Sequence, residues 1–213
     1  EHALLGCDKL KSFDLTQATN LKSAHTGFLQ TTLNLAEVKG LANLPGGVVP
    51  NDAFKGSGIG SISIPKQITR IGPRAFEGSG LSTLTFEGGR SSDLAIKNHA
   101  FKGTAELGQE LVLPATTAEL GESAFEGSGI TAFRVRYPAG AKLKSIAKGV
   151  FKMTKQLMTA TLPPSIESIG ESAFEGSTVE TVAYSSNLKS IGKNAFKDAA
   201  KLTGFTLPAG VTI

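Results

Sequence analysis

The sequence predicts a solenoid of mainly β structure, in which about nine coils of 22–26 residues stack on one another. Three observations predict it. The dipeptide Ala-Phe recurs at a nearly constant interval along the 213 residues, an apolar run with the alternation of a strand follows it, and a second apolar segment that ends in glycine precedes it. A unit of this length cannot bury its own apolar face, whereas stacked copies can.

The Ala-Phe dipeptide marks one position in each coil. It occurs at Ala53-Phe54, Ala75-Phe76, Ala100-Phe101, Ala124-Phe125, Ala173-Phe174 and Ala195-Phe196, with the variant Val150-Phe151. Weaker copies are expected at Gly27-Phe28 and Ala3-Leu4. The chain has 12 Phe but only 2 Tyr and no Trp, which indicates that one repeated position requires Phe. We therefore expect these rings to stack from coil to coil in a continuous apolar column.

The second motif predicts one strand of each coil. In Ile59-x-x-Ile62-x-Ile64 the last three positions alternate, as a half-buried strand requires. Similar runs begin at Leu10, Leu81, Ile130, Leu157, Val179 and Leu202. Partial copies are Leu33-x-Leu35 and Leu111-x-Leu113. Stacked at about 4.8 Å, these strands would form a parallel sheet on the order of 40 Å long.

The third motif predicts a second inward-packing segment before each Ala-Phe. Its clean forms are Ile68-x-x-Ile71-Gly72, Ile166-x-x-Ile169-Gly170 and Leu188-x-x-Ile191-Gly192. Glycine adopts backbone conformations that other residues avoid. We therefore expect Gly72, Gly121, Gly170 and Gly192 to supply tight turns.

Together these motifs read Ile-x-x-Ile-Gly-x-x-Ala-Phe-x-Gly-x-x-Leu-x-x-Leu-x-Leu-Pro, which resembles the BspA-like, or Treponema-type, class of leucine-rich repeats. The resemblance implies a concave parallel sheet, with short turns, short strands or 3-10 helical segments on the convex side. The resemblance covers nearly the whole chain. We expect residues 1–213 to form a single leucine-rich repeat domain and to be a fragment of a longer array, because no terminal cap is visible. Members of the class are typically secreted or surface proteins of bacteria and some parasitic protists, linked to adhesion, to binding of host matrix proteins and to cell–cell aggregation.

In the leucine-rich fold the variable positions of the strand point to the concave face. Ten of the eighteen such positions in this sequence are Ser or Thr. The candidate binding residues on this face and its adjoining turn are Asp14, Asn34, Thr83, Thr85, Glu110, Arg134, Arg136, Tyr137, Thr159 and Thr161. The cluster of Arg134, Arg136 and Tyr137 is favoured because Tyr and Arg are frequent at binding hot spots. The alternative is that Thr and Ser simply suit an exposed sheet and that the cluster is a solvated turn.

Several function classes have little support in the sequence. A single Cys excludes an internal disulfide framework, and the three His lack the spacing of metal ligands. The glycine-rich run from Gly56 to Gly60 lacks the Gly-Lys-Ser/Thr ending of a phosphate loop. The net charge is only +4, basic residues are not interleaved with aromatic ones, and no run of about 18 apolar residues is present. We therefore expect no cofactor, no metal, no nucleic acid and no transmembrane segment.

These observations favour a non-enzymatic binding module that mediates adhesion or protein–protein interaction, including interaction with host proteins, through a protein or glycan ligand. The expected location is extracellular or at the cell surface, with any signal or anchor outside this sequence. One alternative is a structural spacer that holds another domain away from the cell surface. A further, weaker alternative is an enzyme with dispersed catalytic groups.

Overall fold

The computed structural model describes residues 4–136, 140–184 and 186–213. In chain order the strands are β1 Ser12–Asp14, β2 Glu37–Lys39, β3 Val48–Val49, β4 Ser61–Ile64, β5 Arg70–Ile71, β6 Thr83–Phe86, β7 Leu94–Ile96, β8 Glu110–Leu113, β9 Thr117–Leu120, β10 Ala132–Val135, β11 Ser145–Ile146, β12 Thr159–Thr161, β13 Ser168–Ile169, β14 Thr181–Ala183 and β15 Ser190–Ile191. Two 3-10 helices, Leu41–Asn43 and Pro45–Gly47, are the helical segments of the described chain.

The strands form two parallel stacks, and from β3 onward each coil contributes one strand to each stack. The first sheet contains the groups β1-β2, β4-β6 and β8-β10-β12-β14, all in parallel register. The second sheet contains β3-β5-β7-β9 and β11-β13-β15, again parallel. The chain makes about eight turns, close to the nine predicted. The predicted solenoid, with a parallel sheet on one side and short strands on the other, is confirmed.

The Phe column forms as the sequence predicts. Phe54, Phe76, Phe101, Phe125, Phe151 and Phe174 are all fully buried. From Phe54 to Phe196, successive ring centroids lie 4.9 to 6.4 Å apart. Since each ring contacts the ring of the next coil, the column joins neighbouring coils through the centre of the solenoid.

The column differs from the prediction in the first coils. The N–H of Leu29 donates to the carbonyl of Ala53, just as the N–H of Phe54 donates to that of Ala75, so Leu29 occupies the column position. Phe28, which the sequence pattern placed there, is half-buried and meets Phe54 edge-on at 5.7 Å. The predicted alignment was therefore wrong by one residue in this coil.

The glycine of the third motif has a different role from the one expected. Gly72 and Gly121 are not among the residues with a left-handed backbone. A Cβ on Gly72 would instead lie 2.8 Å from the backbone nitrogen of Asn51, and one on Gly121 would lie 2.6 Å from that of Asn98. Glycine is needed here because the backbones of adjacent coils approach closely. Left-handed residues lie two positions before and two positions after the Phe, as at Asp52 with φ +54° and Gly56 with φ +63°.

The residue directly after each Phe of the column, from Phe54 to Phe196, alternates in charge along the solenoid. In order these residues are Lys55, Glu77, Lys102, Glu126, Lys152, Glu175 and Lys197. Ion pairs join Lys55 to Glu77 at 2.9 Å, Lys102 to Glu126 at 3.2 Å and Lys152 to Glu175 at 3.3 Å. We call this row the Lys–Glu ladder. Each pair is partly solvated and adds at most about 1 kcal/mol to stability.

Candidate functional site

The candidate site is the outward side of the first sheet, which we call the exposed face. It carries two rows of side chains, because alternate residues of each strand point away from the core. The first row is Ser12, Glu37, Ser61, Thr83, Glu110, Ala132, Thr159 and Thr181, and the second row is Asp14, Lys39, Ser63, Thr85, Val112, Arg134, Thr161 and Ala183. Most of these residues are solvent-exposed.

A shallow depression of about 300 Å³ lies where the first sheet is interrupted between β2 and β4. It is lined by Glu37, Val38, Ser61, Ile62, Ser63, Thr83 and Thr85. Ser61 and Ser63 lie directly opposite Thr83 and Thr85 in the parallel register, so four hydroxyls form a compact square. Within the described chain, none of these hydroxyls makes an intramolecular hydrogen bond, so all four can donate to and accept from a ligand.

A charged pair divides the exposed face near its middle. Arg134 donates from Nε to Oε1 of Glu110 at 2.6 Å and from Nη2 to Oε2 at 3.3 Å. The strand register places Arg134 opposite Val112, so its side chain reaches diagonally to Glu110. This bidentate geometry fixes the guanidinium plane. The opposite charges of Arg134 and Glu110 neutralise each other, and hydroxyl-bearing residues lie on either side of the pair. Both side chains are almost half exposed, so a partner could contact either.

The second interruption of the first sheet, between β6 and β8, is closed by a side chain. The amide oxygen of Gln109 accepts from the N–H of Leu84 at 3.1 Å, and its amide nitrogen donates to the carbonyl of Leu84 at 2.7 Å. The side chain thus replaces a missing backbone ladder and keeps the exposed face continuous from Thr85 to Glu110. No motif in the sequence predicted this role of Gln109.

The first strand ends in a fixed carboxylate. The backbone N–H of Thr16 donates to Oδ1 of Asp14 at 2.7 Å. This hydrogen bond, with a further one from the Thr16 side chain, lowers the pKa of Asp14 from its ordinary value, and the charge of Lys39 acts in the same direction. Asp14 is therefore a stable negative charge at this end of the exposed face.

The structure places most of the predicted site residues on the exposed face. Asp14, Thr83, Thr85, Glu110, Arg134, Thr159 and Thr161 all lie there. Arg136 is exposed directly after β10, where its N–H donates to the carbonyl of Leu113 at 2.7 Å. Tyr137 lies outside the described residues. The binding role of these residues stays a prediction.

The placement of Asn34 was wrong. Asn34 lies in a turn, where its amide donates to the carbonyl of Asp8 at 2.6 Å, and the strand of this coil is β2, three residues further on. The partial Leu33-x-Leu35 motif is not a strand, because Leu33 is 61% exposed while Leu35 is buried. Glu37 and Lys39 therefore occupy the outward positions of this coil on the exposed face, which the sequence pattern had assigned to the Leu33-x-Leu35 segment. The parallel pairing of β2 with β1 identifies them.

Two further features bear on chemistry. Within residues 4–136, 140–184 and 186–213, no group of three or more His, Cys, Asp or Glu side chains is arranged to hold a metal ion. Over the same ranges, no helix has the length and apolar character needed to cross a membrane.

A family model described as the BspA type leucine rich repeat region matches residues 47–138 and 134–213, in six copies. No curated protein matches the sequence. Among solved structures, the pneumococcal vaccine antigen PcpA is similar at 19% identity and a TM-score of 0.63, over 94% of this chain and 51% of that one. A leucine-rich repeat protein from Eubacterium ventriosum is similar at 14% identity and a TM-score of 0.64, over 94% of this chain and 55% of that one.

A leucine rich cell surface protein from Faecalibacterium prausnitzii is similar at 20% identity and a TM-score of 0.55, over 95% of this chain and 61% of that one. The chain thus spans about half to three fifths of the length of these solved structures. At such low identities the likeness establishes the fold alone.

Proposed function

Because this chain belongs to the BspA-type leucine-rich repeat family, we propose that it is a non-enzymatic module that binds a protein partner through the exposed face, outside the cell or at the cell surface. Two of the similar structures support this location, since one is a vaccine antigen and another a cell surface protein. Fold alone does not fix function, so the proposal depends on the chemistry of the exposed face.

The observation that carries the proposal is the set of unused hydroxyls on a regular sheet. Ser61, Ser63, Thr83 and Thr85 hold eight lone pairs and four donors in a fixed arrangement, without hydrogen-bond partners among the described residues. Their β-strand backbone is rigid, so binding a ligand would require little ordering of this surface. Such a surface suits polar contacts with the backbone and side chains of a partner.

The dimensions of the exposed face also favour a macromolecule. Eight strands spaced at about 4.8 Å give a strip on the order of 35–40 Å long. A typical protein interface buries about 800 Å² on each partner, which corresponds to a patch roughly 30 Å across. The depression between β2 and β4 is open and shallow, unlike the enclosed pockets that bury small molecules.

The composition of the exposed face also favours weak binding of a partner by a single copy of this module. Hot spots are enriched in Trp, Tyr and Arg, and Arg134 is the one such residue on the described part of the face. Its guanidinium is already held by Glu110. Adhesion would then gain strength from many copies at a surface, because linked weak contacts raise the overall affinity.

The test is a binding assay with paired variants. The chain is immobilised and exposed to matrix proteins, to glycans and to cells, and Thr85→Arg is compared with Ser145→Arg. Thr85 lies in the depression, whereas Ser145 is an exposed residue of the second sheet. We expect saturable protein binding that Thr85→Arg weakens by about tenfold while Ser145→Arg leaves it unchanged.

Uniformly absent binding at high concentration would reject the proposal. Equal effects of the two variants would reject the exposed face as the site. Binding to glycans alone would replace the protein partner by a carbohydrate.

A structural spacer is the second candidate, and the contacts between coils favour it. From Phe54 to Phe196 the Phe column connects each coil to the next, and the ion pairs of the Lys–Glu ladder add a link at every second junction, which favours a stiff array. A spacer predicts that Thr85→Arg changes no interaction, whereas removing two coils shortens the reach of whatever the array carries. Attaching the array to a surface and measuring the height of its free end distinguishes these outcomes.

A further inference from the structure

A cleft of about 340 Å³ opens beside the second sheet, away from the exposed face. Its polar lining includes Ser23, His25, Asn51 and Arg70, and none of its lining residues belongs to the first sheet. Arg70 is on β5, and the segment that carries Ser23 and His25 forms the facing wall. We call this site the Arg70 cleft.

The charge of Arg70 is not balanced within the described chain. Arg74 pairs with Asp52 and Arg134 pairs with Glu110, but the guanidinium of Arg70 has neither an ion-pair partner nor a hydrogen-bond acceptor among the described residues. Among residues 4–136, 140–184 and 186–213, no Asp or Glu lines the cleft.

Along the second sheet, the strand next to Arg70 presents Ala95, and the strand beyond presents Glu119. That carboxylate is already paired with Lys97. A half-buried arginine without a counter-charge favours an anion in its cavity.

The rest of the lining supplies neutral polar groups and an apolar rim. Ser23 Oγ and His25 Nε2 lie 3.2 Å apart, within hydrogen-bond distance, and both residues line the cleft. Pro45 and Val48 add apolar surface at the rim. This combination suits an anion attached to a carbon chain better than a fully hydrated inorganic ion, because the chain can lie against Pro45 and Val48 in this open cleft while its charged end meets Arg70.

We propose that the Arg70 cleft binds a carboxylate group, which Arg70 holds through two parallel hydrogen bonds while Ser23, His25 and Asn51 contact its other side. The carboxylate belongs either to a small free acid or to an acidic side chain of a protein partner. This site is independent of the exposed face, so it stands or falls separately from the function proposed above.

The test is a titration of the isotope-labelled chain, followed by NMR, with three probes. Succinate represents a free acid, an acetylated and amidated peptide with a single Glu represents a protein side chain, and inorganic phosphate represents a bare anion. We expect one of the two carboxylates to shift the signals of His25 and Asn51 saturably, with a dissociation constant in the millimolar range or below. The tighter of the two identifies the source of the carboxylate.

The variants separate the cleft from net charge. Arg70→Gln should weaken binding by about tenfold or more, because it removes a charge-assisted pair of hydrogen bonds. Lys22→Gln removes one positive charge from the same exposed segment, outside the lining, and should change affinity less than about twofold. Arg70→Lys keeps the charge without the forked geometry of the guanidinium, so its affinity for the carboxylate should lie between those of Arg70→Gln and Lys22→Gln. Arg70→Lys replaces Arg70→Gln in the comparison if Arg70→Gln does not fold.

Three results would overturn the proposal. The first is the absence of saturation by either carboxylate up to about 50 mM. The second is equal weakening by Arg70→Gln and Lys22→Gln. The third is binding of phosphate more tightly than of both carboxylates, which would assign the cleft to a different anion.

Discussion

Replacing Phe101 by Ala removes one ring from the middle of the Phe column. Phe101 is fully buried, and its ring centroid lies 5.0 Å from those of both Phe76 and Phe125, with the ring planes nearly parallel. Truncating a buried Phe to Ala costs about 3–5 kcal/mol of unfolding free energy, including the cavity. A stacked aromatic pair adds about 0.5–1.5 kcal/mol beyond buried area. Because two such pairs are lost together, we expect a loss in the upper half of that range, about 4–5 kcal/mol.

Urea unfolding followed by circular dichroism measures this loss. Hydrogen exchange should accompany it, because a repeat array can open locally as well as globally. Should Phe101→Ala fail to fold, Phe101→Leu keeps most of the volume while removing both ring pairs, and should cost about 1–3 kcal/mol. Leu33→Ala is the matched control, since Leu33 is 61% exposed and its loss should stay within about 0.5 kcal/mol. A loss for Phe101→Ala no larger than that of Leu33→Ala would refute the column as a source of stability.

Three further predictions concern the contacts between coils and the charges. Gly121→Ala should lower the free energy of unfolding by about 1–3 kcal/mol, because its Cβ would meet the backbone of the adjacent coil. Gly60→Ala is the control, since a Cβ at Gly60 would meet nothing within 4 Å. Equal melting temperatures of the two variants would contradict this prediction. Glu126→Lys places three lysines in succession in the Lys–Glu ladder. The melting temperature of this variant should therefore fall in low salt and recover toward that of the unmodified chain in 1 M salt. A change that does not depend on salt would exclude charge repulsion as the cause. The hydrogen bond and charge of Lys189 lower the pKa of Glu167 below its ordinary 4.5. The ionised carboxylate therefore stabilises the fold at a pH above 4.5, and this stabilisation is lost as the pH falls through the lower pKa of the folded state. Glu167→Gln should therefore weaken the decline of stability on acidification, and an unchanged decline would exclude this carboxylate as a contributor.

The sequence predicted the coils with complete motifs well. Strands such as Ser61–Ile64 and Thr83–Phe86 lie where the alternation placed them, and their exposed and buried residues follow the predicted order. This works because burial on one side of a strand fixes which residues face outward. The same alternation placed Thr83, Thr85 and Arg134 on the exposed face.

The sequence failed where a coil has an incomplete motif. A strand repeats every two residues, so any two apolar residues separated by one position resemble it, as Leu33 and Leu35 did. The true strand, Glu37–Lys39, has a single inward residue, and its identity follows from hydrogen bonding to Ser12–Asp14 rather than from its own pattern. Pairing between distant segments is not visible in a local motif.

Two other features depend on neighbouring coils in the same way. Gly121 is required by the backbone of Asn98, and Gln109 fills a gap beside Leu84. The residues around Gly121 and around Gln109 in the sequence do not indicate how close the adjacent coil lies. The Arg70 cleft was likewise hidden, because its walls come from segments about 45 residues apart, around His25 and Arg70.

The alternation in the Lys–Glu ladder makes two coils, rather than one, the exchangeable unit of this chain. Deleting the coil that carries Glu126 would bring Lys102 against Lys152. Duplicating a single coil would set two like charges side by side, whereas duplicating an adjacent pair restores the order of charges. Copy number is therefore expected to change in even steps when such an array grows or contracts by recombination, and a designer who lengthens it should graft coils in twos.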